Sequence, residues 1–112
     1  MLKRLSHLLI ASLLLIMSNS VFANETQNAI WIDVRTSDEF NAGHLQGAIH
    51  IPYEEIGARI GEVTTDKNTT IHLYCRSGNR SGIAQQTLQA LGFSKALNEG
   101  GYEDLKQKFE AN

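Results

Sequence analysis

The sequence predicts one small α/β domain, a mostly parallel central sheet with helices on both faces. Short runs of β-branched and aromatic residues alternate with amphipathic stretches, at a spacing that suits consecutive βαβ units. Once an N-terminal apolar segment is set aside, residues 24–112 are enough for one domain and no more. The single cysteine, Cys75, falls where a strand stops and a helix is about to start, where open α/β sheets build their sites. There is no internal repeat and no low-complexity stretch.

Residues 1–23 have the form of a secretory signal peptide. Lys3 and Arg4 give a basic start, residues 8–17 are almost wholly apolar, and Val21-Phe22-Ala23 puts small residues where a signal peptidase reads. Cleavage is expected after Ala23, with a periplasmic destination. The apolar run is about half of the roughly 20 residues that a spanning helix needs, which makes an uncleaved anchor the weaker alternative. No cysteine stands at the cleavage site, so a lipid anchor is not indicated. All twelve acidic residues lie beyond this segment, against eight of the ten basic ones, a balance of −4. That balance, with no basic stripe, argues against nucleic acid or an anionic membrane as the main partner.

In chain order, residues 24–29 form a short polar tail, and Ile30-Trp31-Ile32-Asp33-Val34 is dense enough in β-formers for the first strand. Thr36-Ser37-Asp38-Glu39 has the T-x-x-E form of a capping box and opens a short helix that Gly43 closes. Ala48-Ile49-His50-Ile51 predicts a second strand, stopped by Pro52. Tyr53, Ile56 and Ile60 are spaced for a helix that Gly57 weakens. A polar surface connection over 64–69 leads to a buried strand over 70–74. A helix over 81–91 follows, with Ile83, Ala84, Thr87, Leu88 and Leu91 as its apolar face, Gln85, Gln86 and Gln89 toward water, and Gly92 at its end. A strand over 94–98, a tight turn at Glu99-Gly100-Gly101, and a last amphipathic helix through Tyr102, Leu105 and Phe109 complete the domain.

In this architecture Asp33-Val34-Arg35, Cys75 and Glu99-Gly100-Gly101 stand at carboxyl ends of strands and are expected to meet around the thiol. The turn Cys75-Arg76-Ser77-Gly78-Asn79-Arg80-Ser81 combines backbone N–H groups, a helix N-terminus and two arginines, each of which favours thiolate over thiol. A buried structural cysteine has no use for such a turn. An unpaired thiol in an exported domain, which cannot form a disulfide within its own chain, also points to a chemical role. The positive turn on an acidic protein suits a small anion.

The motifs taken together resemble those of the single-domain rhodaneses, a sulfurtransferase family. The resemblance rests on Ile32-Asp33-Val34-Arg35, on Glu39-Phe40 with Gly43-His44-Leu45-Gln46-Gly47-Ala48-Ile49-His50-Ile51-Pro52, and on the Cys75–Ser81 turn. Leu91-Gly92-Phe93 and Asn98-Glu99-Gly100-Gly101-Tyr102 extend it over essentially the whole chain beyond residue 23. Leu105 departs from it, standing where many relatives have tryptophan. The resemblance implies a rhodanese-like fold, no cofactor or metal, and sulfur transfer through a Cys75 persulfide, from thiosulfate to cyanide or a thiol. Arg76, Ser77, Gly78, Asn79 and Arg80 would form the donor site around Cys75, with the amides stabilising sulfur charge. Arg80 has two readings: contact with the dianionic donor, or a pair with a carboxylate such as Asp33 that holds the loop shut. Asp33 and Arg35 are expected to orient loops, and His44, His50 and His72 to be structural. A monomer is the expected state.

Two rivals remain. A cysteine-dependent phosphatase or arsenate reductase would use cysteine and arginine on an oxyanion. However, the four residues between Cys75 and Arg80 make the loop one shorter than in the related dual-specificity phosphatases. A persulfide carrier serving one partner would keep Cys75 without needing thiosulfate as its donor. The export reading has its own check: the N-terminal residue of the secreted protein should be Asn24, as measured by intact mass.

Overall fold

The computed structural model describes residues 29–111. The expected signal peptide and all of the polar tail except Ala29 lie outside the described residues. Four strands, β1 (Ala29–Asp33), β2 (Ile49–His50), β3 (Thr70–Cys75) and β4 (Ala96–Gly101), form one sheet in the order β2-β1-β3-β4. Every neighbouring pair is parallel. The helices are α1 (Ser37–Ala42), α2 (Ile56–Arg59), α3 (Asn79–Ala90) and α4 (Tyr102–Glu110), with single 3₁₀ turns on either side of α2.

Period-two alternation in the central strands divides the core into two layers. Ile32, Ile71, Leu73 and Cys75 pack with Ala84 and Leu88 of α3, Ile56 and Ile60 of the α2 segment, and Phe93. On the other face Tyr74 packs with Leu45 and with Leu105 of α4, flanked by Trp31 and Tyr102. Leu105 thus fills a place in helix packing, away from Cys75. His72 lies on this second face, stacked on Trp31 with ring centroids 4.5 Å apart.

Local rules account for several ends. Both arms of the capping box form between Thr36 and Glu39. The C-terminus of α3 closes in a Schellman arrangement: Phe93 N–H donates to the Leu88 carbonyl and Gly92 N–H to that of Gln89, each at 3.0 Å.

Other expectations need correction. The segment expected as one helix over 53–60 is broken into 3₁₀, α and 3₁₀ turns. Gly57 lets it lie close to α3, where a Cβ would come within 3.1 Å of the Thr87 methyl. Helix α3 begins at Asn79, two residues early, and buries Ser81, Ala84 and Leu88, while Ile83 and Leu91 are each 44% exposed. Gln85 and Gln89 do not simply face water: both donate to the Ala96 carbonyl at the start of β4. The expected turn at Glu99-Gly100-Gly101 belongs to β4. Leu73 pairs with Asn98 but Cys75 with Gly101, so β4 carries one extra residue there, a bulge.

The carboxyl end of β1 is fixed by a buried ion pair. Arg35 Nη2 lies 2.6 Å from Asp33 Oδ2, Arg35 Nε is 3.0 Å from both carboxylate oxygens, and the Arg35 N–H donates to Oδ1. Nη2 also donates to the Gly43 carbonyl, and the guanidinium stands 4.3 Å from the Tyr102 ring centroid. Burial works against the guanidinium charge, but the hydrogen bonds and the charge of Asp33 hold Arg35 cationic. Removing one partner strands the other charge in the interior. Asp33→Ala should therefore lower stability by about 3–5 kcal/mol in denaturant unfolding.

Candidate active site

Because β1 lies between β2 and β3, the chain leaves β1 to one side and later continues to the other. The crevice beyond the carboxyl ends of β1 and β3 is the topological switch point of the sheet. Cys75, the last residue of β3, ends there. Of the three segments expected to converge, the β3–α3 loop and the end of β4 are in direct contact. A Cβ on Gly101 would lie 2.6 Å from the Arg76 carbonyl oxygen, so only glycine permits this approach. From the first segment Arg35 lines the neighbouring cavity, whereas Asp33 is turned into its ion pair.

The Cys75 side chain is 1% exposed. Gly78 N–H donates to Sγ at 2.9 Å, and the Ser81 hydroxyl is within 3.4 Å of it. Gly78 has φ +99, a left-handed conformation that lets the chain turn from the loop into α3, whose N-cap it is. Burial alone pushes the thiol up. The Ser81 hydroxyl and the backbone N–H groups of Ser81, Ser77 and Gly78 outweigh it and bring Cys75 down to about 7.

Of the N–H groups, helix N-terminus and arginines expected to favour the thiolate, it is the N–H groups, joined by the Ser81 hydroxyl, that act on the sulfur. Arg80 is committed elsewhere: Nη1 and Nη2 reach the Glu39 carboxylate at 2.8 and 3.0 Å. That hydrogen bonding, ahead of the burial that opposes it, holds Glu39 down at about 2. Arg80 thus pairs with a carboxylate, but with Glu39 of α1 and not Asp33. Arg76 and Ser77 are exposed on the loop, and Asn79, also exposed, opens α3. Arg76 lines a cavity of about 430 Å³ with Arg35, Glu39, Gly43, Tyr102 and Glu103. A cavity of about 440 Å³ under Trp31, Leu45 and Phe109 opens off the Tyr74 face and includes neither Cys75 nor the loop.

The histidines bind scaffold. His44 Nδ1 lies 2.9 Å from the Phe40 carbonyl oxygen and His50 Nε2 lies 2.8 Å from that of Arg35. Three contributors escaped the sequence reading. Glu39 was read as a cap and a motif residue, without its pairing to Arg80. Ser81 was read as the end of the turn and a helix start, although a hydroxyl in the first turn after a cysteine is a legible donor. Asn98, which bonds Ser81 Oγ and the Gly78 carbonyl, stood in the motif set without a role, because its reach to the loop depends on the pairing of β4 with β3.

A parallel α/β domain that holds a partly ionised cysteine in a turn of N–H donors at its switch point is the framework of a cysteine-nucleophile group-transfer protein. The match to known families is more specific: residues 21–108 match the rhodanese-like domain, and the chain belongs to that family. It is 40% identical over 94 residues to the thiosulfate sulfurtransferase PspE of Escherichia coli (strain K12), covering 84% of this chain and 86% of that one. A solved rhodanese with anions from E. coli superposes with a TM-score of 0.66 at 41% identity, covering 68% of this chain and 89% of that chain. The human single-domain sulfurtransferase TSTD1 gives a TM-score of 0.61 at 26% identity, covering 84% and 93%.

The site makes a direct prediction about pH. The thiolate ultraviolet absorbance of the folded protein should rise with a midpoint near 7, leaving about a tenth of Cys75 ionised one unit below it. The transition should vanish in Cys75→Ser and move upward in Ser81→Ala.

Proposed function

We propose that this chain is an exported, periplasmic sulfurtransferase that takes the outer sulfur of thiosulfate onto Cys75 and passes it to a thiol or to cyanide. The observation that carries the reading is the Cys75 cradle, where Gly78 N–H and the Ser81 hydroxyl face a sulfur that ionises near neutrality. The similarity to a thiosulfate sulfurtransferase across most of both chains supports it.

In the first half-reaction the Cys75 thiolate attacks the outer sulfur of thiosulfate. The bond between the two thiosulfate sulfurs breaks, its electron pair leaves with sulfite, and Cys75 becomes an anionic persulfide. In the second, an acceptor thiolate or cyanide attacks the outer persulfide sulfur and Cys75 returns to thiolate, with no external oxidant or reductant. Sulfite leaves readily as an anion, so no general acid is required. The N–H groups of Ser77, Gly78 and Ser81 face sulfur charge throughout the cycle. Arg76, whose guanidinium has no salt-bridge partner among the described residues, is the cation free to meet the dianionic donor. Asn79 and Arg80 shape the loop, with Arg80 braced on Glu39. That brace counts against the phosphatase reading, in which the arginine must face the oxyanion.

Incubation with thiosulfate should add the mass of one sulfur atom to the protein and none to Cys75→Ser. Absence of that gain in the wild type would overturn the proposal. Arg76→Ala should raise KM for thiosulfate about tenfold with a smaller change in kcat, the loss expected for one charge-assisted contact.

A further inference from the structure

Asn98 is a single side chain that reaches two of the residues donating to the cysteine, Gly78 and Ser81. Its Nδ2 donates to the Gly78 carbonyl at 2.9 Å, and its Oδ1 accepts from the Ser81 hydroxyl at 2.7 Å and from the Gly100 N–H at 3.1 Å. Gly78 and Ser81 are the residues whose N–H and hydroxyl face Cys75 Sγ. The amide is seated where α3 makes room for it: a Cβ on Gly82 would lie 3.3 Å from Asn98 Nδ2. A glycine inside a helix costs about 1 kcal/mol relative to alanine, and here it leaves space for this amide.

The Ser81 hydroxyl has one hydrogen and two acceptors. At 2.7 Å the Asn98 carbonyl takes it while Cys75 is a neutral thiol, whose own S–H can then donate to Ser81 Oγ. Once the sulfur is anionic it competes for that hydrogen, and Asn98 Oδ1 keeps the Gly100 N–H as a partner when the hydroxyl turns away. In both states Asn98 Oδ1 keeps a protein donor.

We propose that Asn98 is a positioning residue for the sulfur chemistry: through the Gly78 carbonyl it holds the Gly78 donor in place, and through Ser81 Oγ it serves as the alternate acceptor for the Ser81 hydroxyl. This rests on the reading of Cys75 as the nucleophile. The other ionisable groups on the surrounding elements are Arg76 and Arg80 of the loop and α3, Glu39 of α1, the Asp33–Arg35 pair after β1, and His72 and Glu99 of β3 and β4. Substitution of Asn98 changes none of them.

The test is a thiolate absorbance titration of the whole protein carrying Asn98→Ala and, to retain a β-former on the strand, Asn98→Thr. Thr is too short to span Ser81 Oγ and the Gly78 carbonyl together. Both should raise the midpoint by about one pH unit, a tenfold loss of thiolate at a given pH below it. Because the Ser81 arm draws the hydroxyl away from the thiolate and so opposes the Gly78 arm, the upward shift caused by Asn98→Ala should be larger in a Ser81→Ala background, where only the Gly78 arm remains. Melting curves identify which variants are folded, and a purely structural asparagine would lower the melting temperature without moving the midpoint. An unmoved midpoint in a folded variant, or full additivity with Ser81→Ala, overturns the proposal. The titration reads the sulfur without turnover, so failure of the wild type to accept sulfur from thiosulfate would refute the proposed function and leave this result intact.

Discussion

The buried Asp33–Arg35 pair is the constraint on which the site depends. Its carboxylate ends β1, its guanidinium binds the carbonyl of Gly43 beyond α1, and its flat face lies against Tyr102 at the start of α4. One charge pair therefore sets the mutual position of three segments around the crevice. Arginine suits that task, because its planar fork can satisfy a carboxylate and a carbonyl while stacking on an aromatic ring. Such a pair is poor evidence of high stability, since desolvation offsets much of its attraction. What it supplies is a fixed arrangement of elements.

Against that frame the cysteine is activated by dipoles. N–H groups and a hydroxyl directed at the sulfur overcome its burial, while Arg80, one of the two arginines of the turn, is neutralised by Glu39. Preorganised neutral donors favour the anion without adding a second charge that a dianionic ligand would have to share with the thiolate. Arg76, without a salt-bridge partner among the described residues, lines the neighbouring cavity.

Elements whose cause is local were legible in the sequence. The capping box at Thr36 and Glu39, the β-formers of β1 and β3 and the Gly92 stop all appear as expected, because propensity and capping act over a few residues. The strand-to-helix position of Cys75 followed from the same reasoning, and the resemblance of the motif set to rhodaneses was sound. What could not be read depends on pairing. Only the register of β3 against β4 shows that Glu99 and Gly100 form a bulge and not a turn, and only the pairing of Asn98 with Leu73 places it on the cysteine face within reach of the loop. The Arg80–Glu39 pair joins residues 41 positions apart, and Asp33 was the more obvious candidate until Arg35 was seen to occupy it.

The bulge has a second consequence, for the outside of the sheet. β4 is an edge strand, and a straight edge of that length presents a row of free N–H and C=O groups to which another chain can add. One extra residue breaks the repeat of those groups and increases the local twist, so the edge is a poor template. At the opposite edge β2 is only two residues long. The irregularity that fits β4 to the cysteine loop thus also guards the sheet against growing by strand addition.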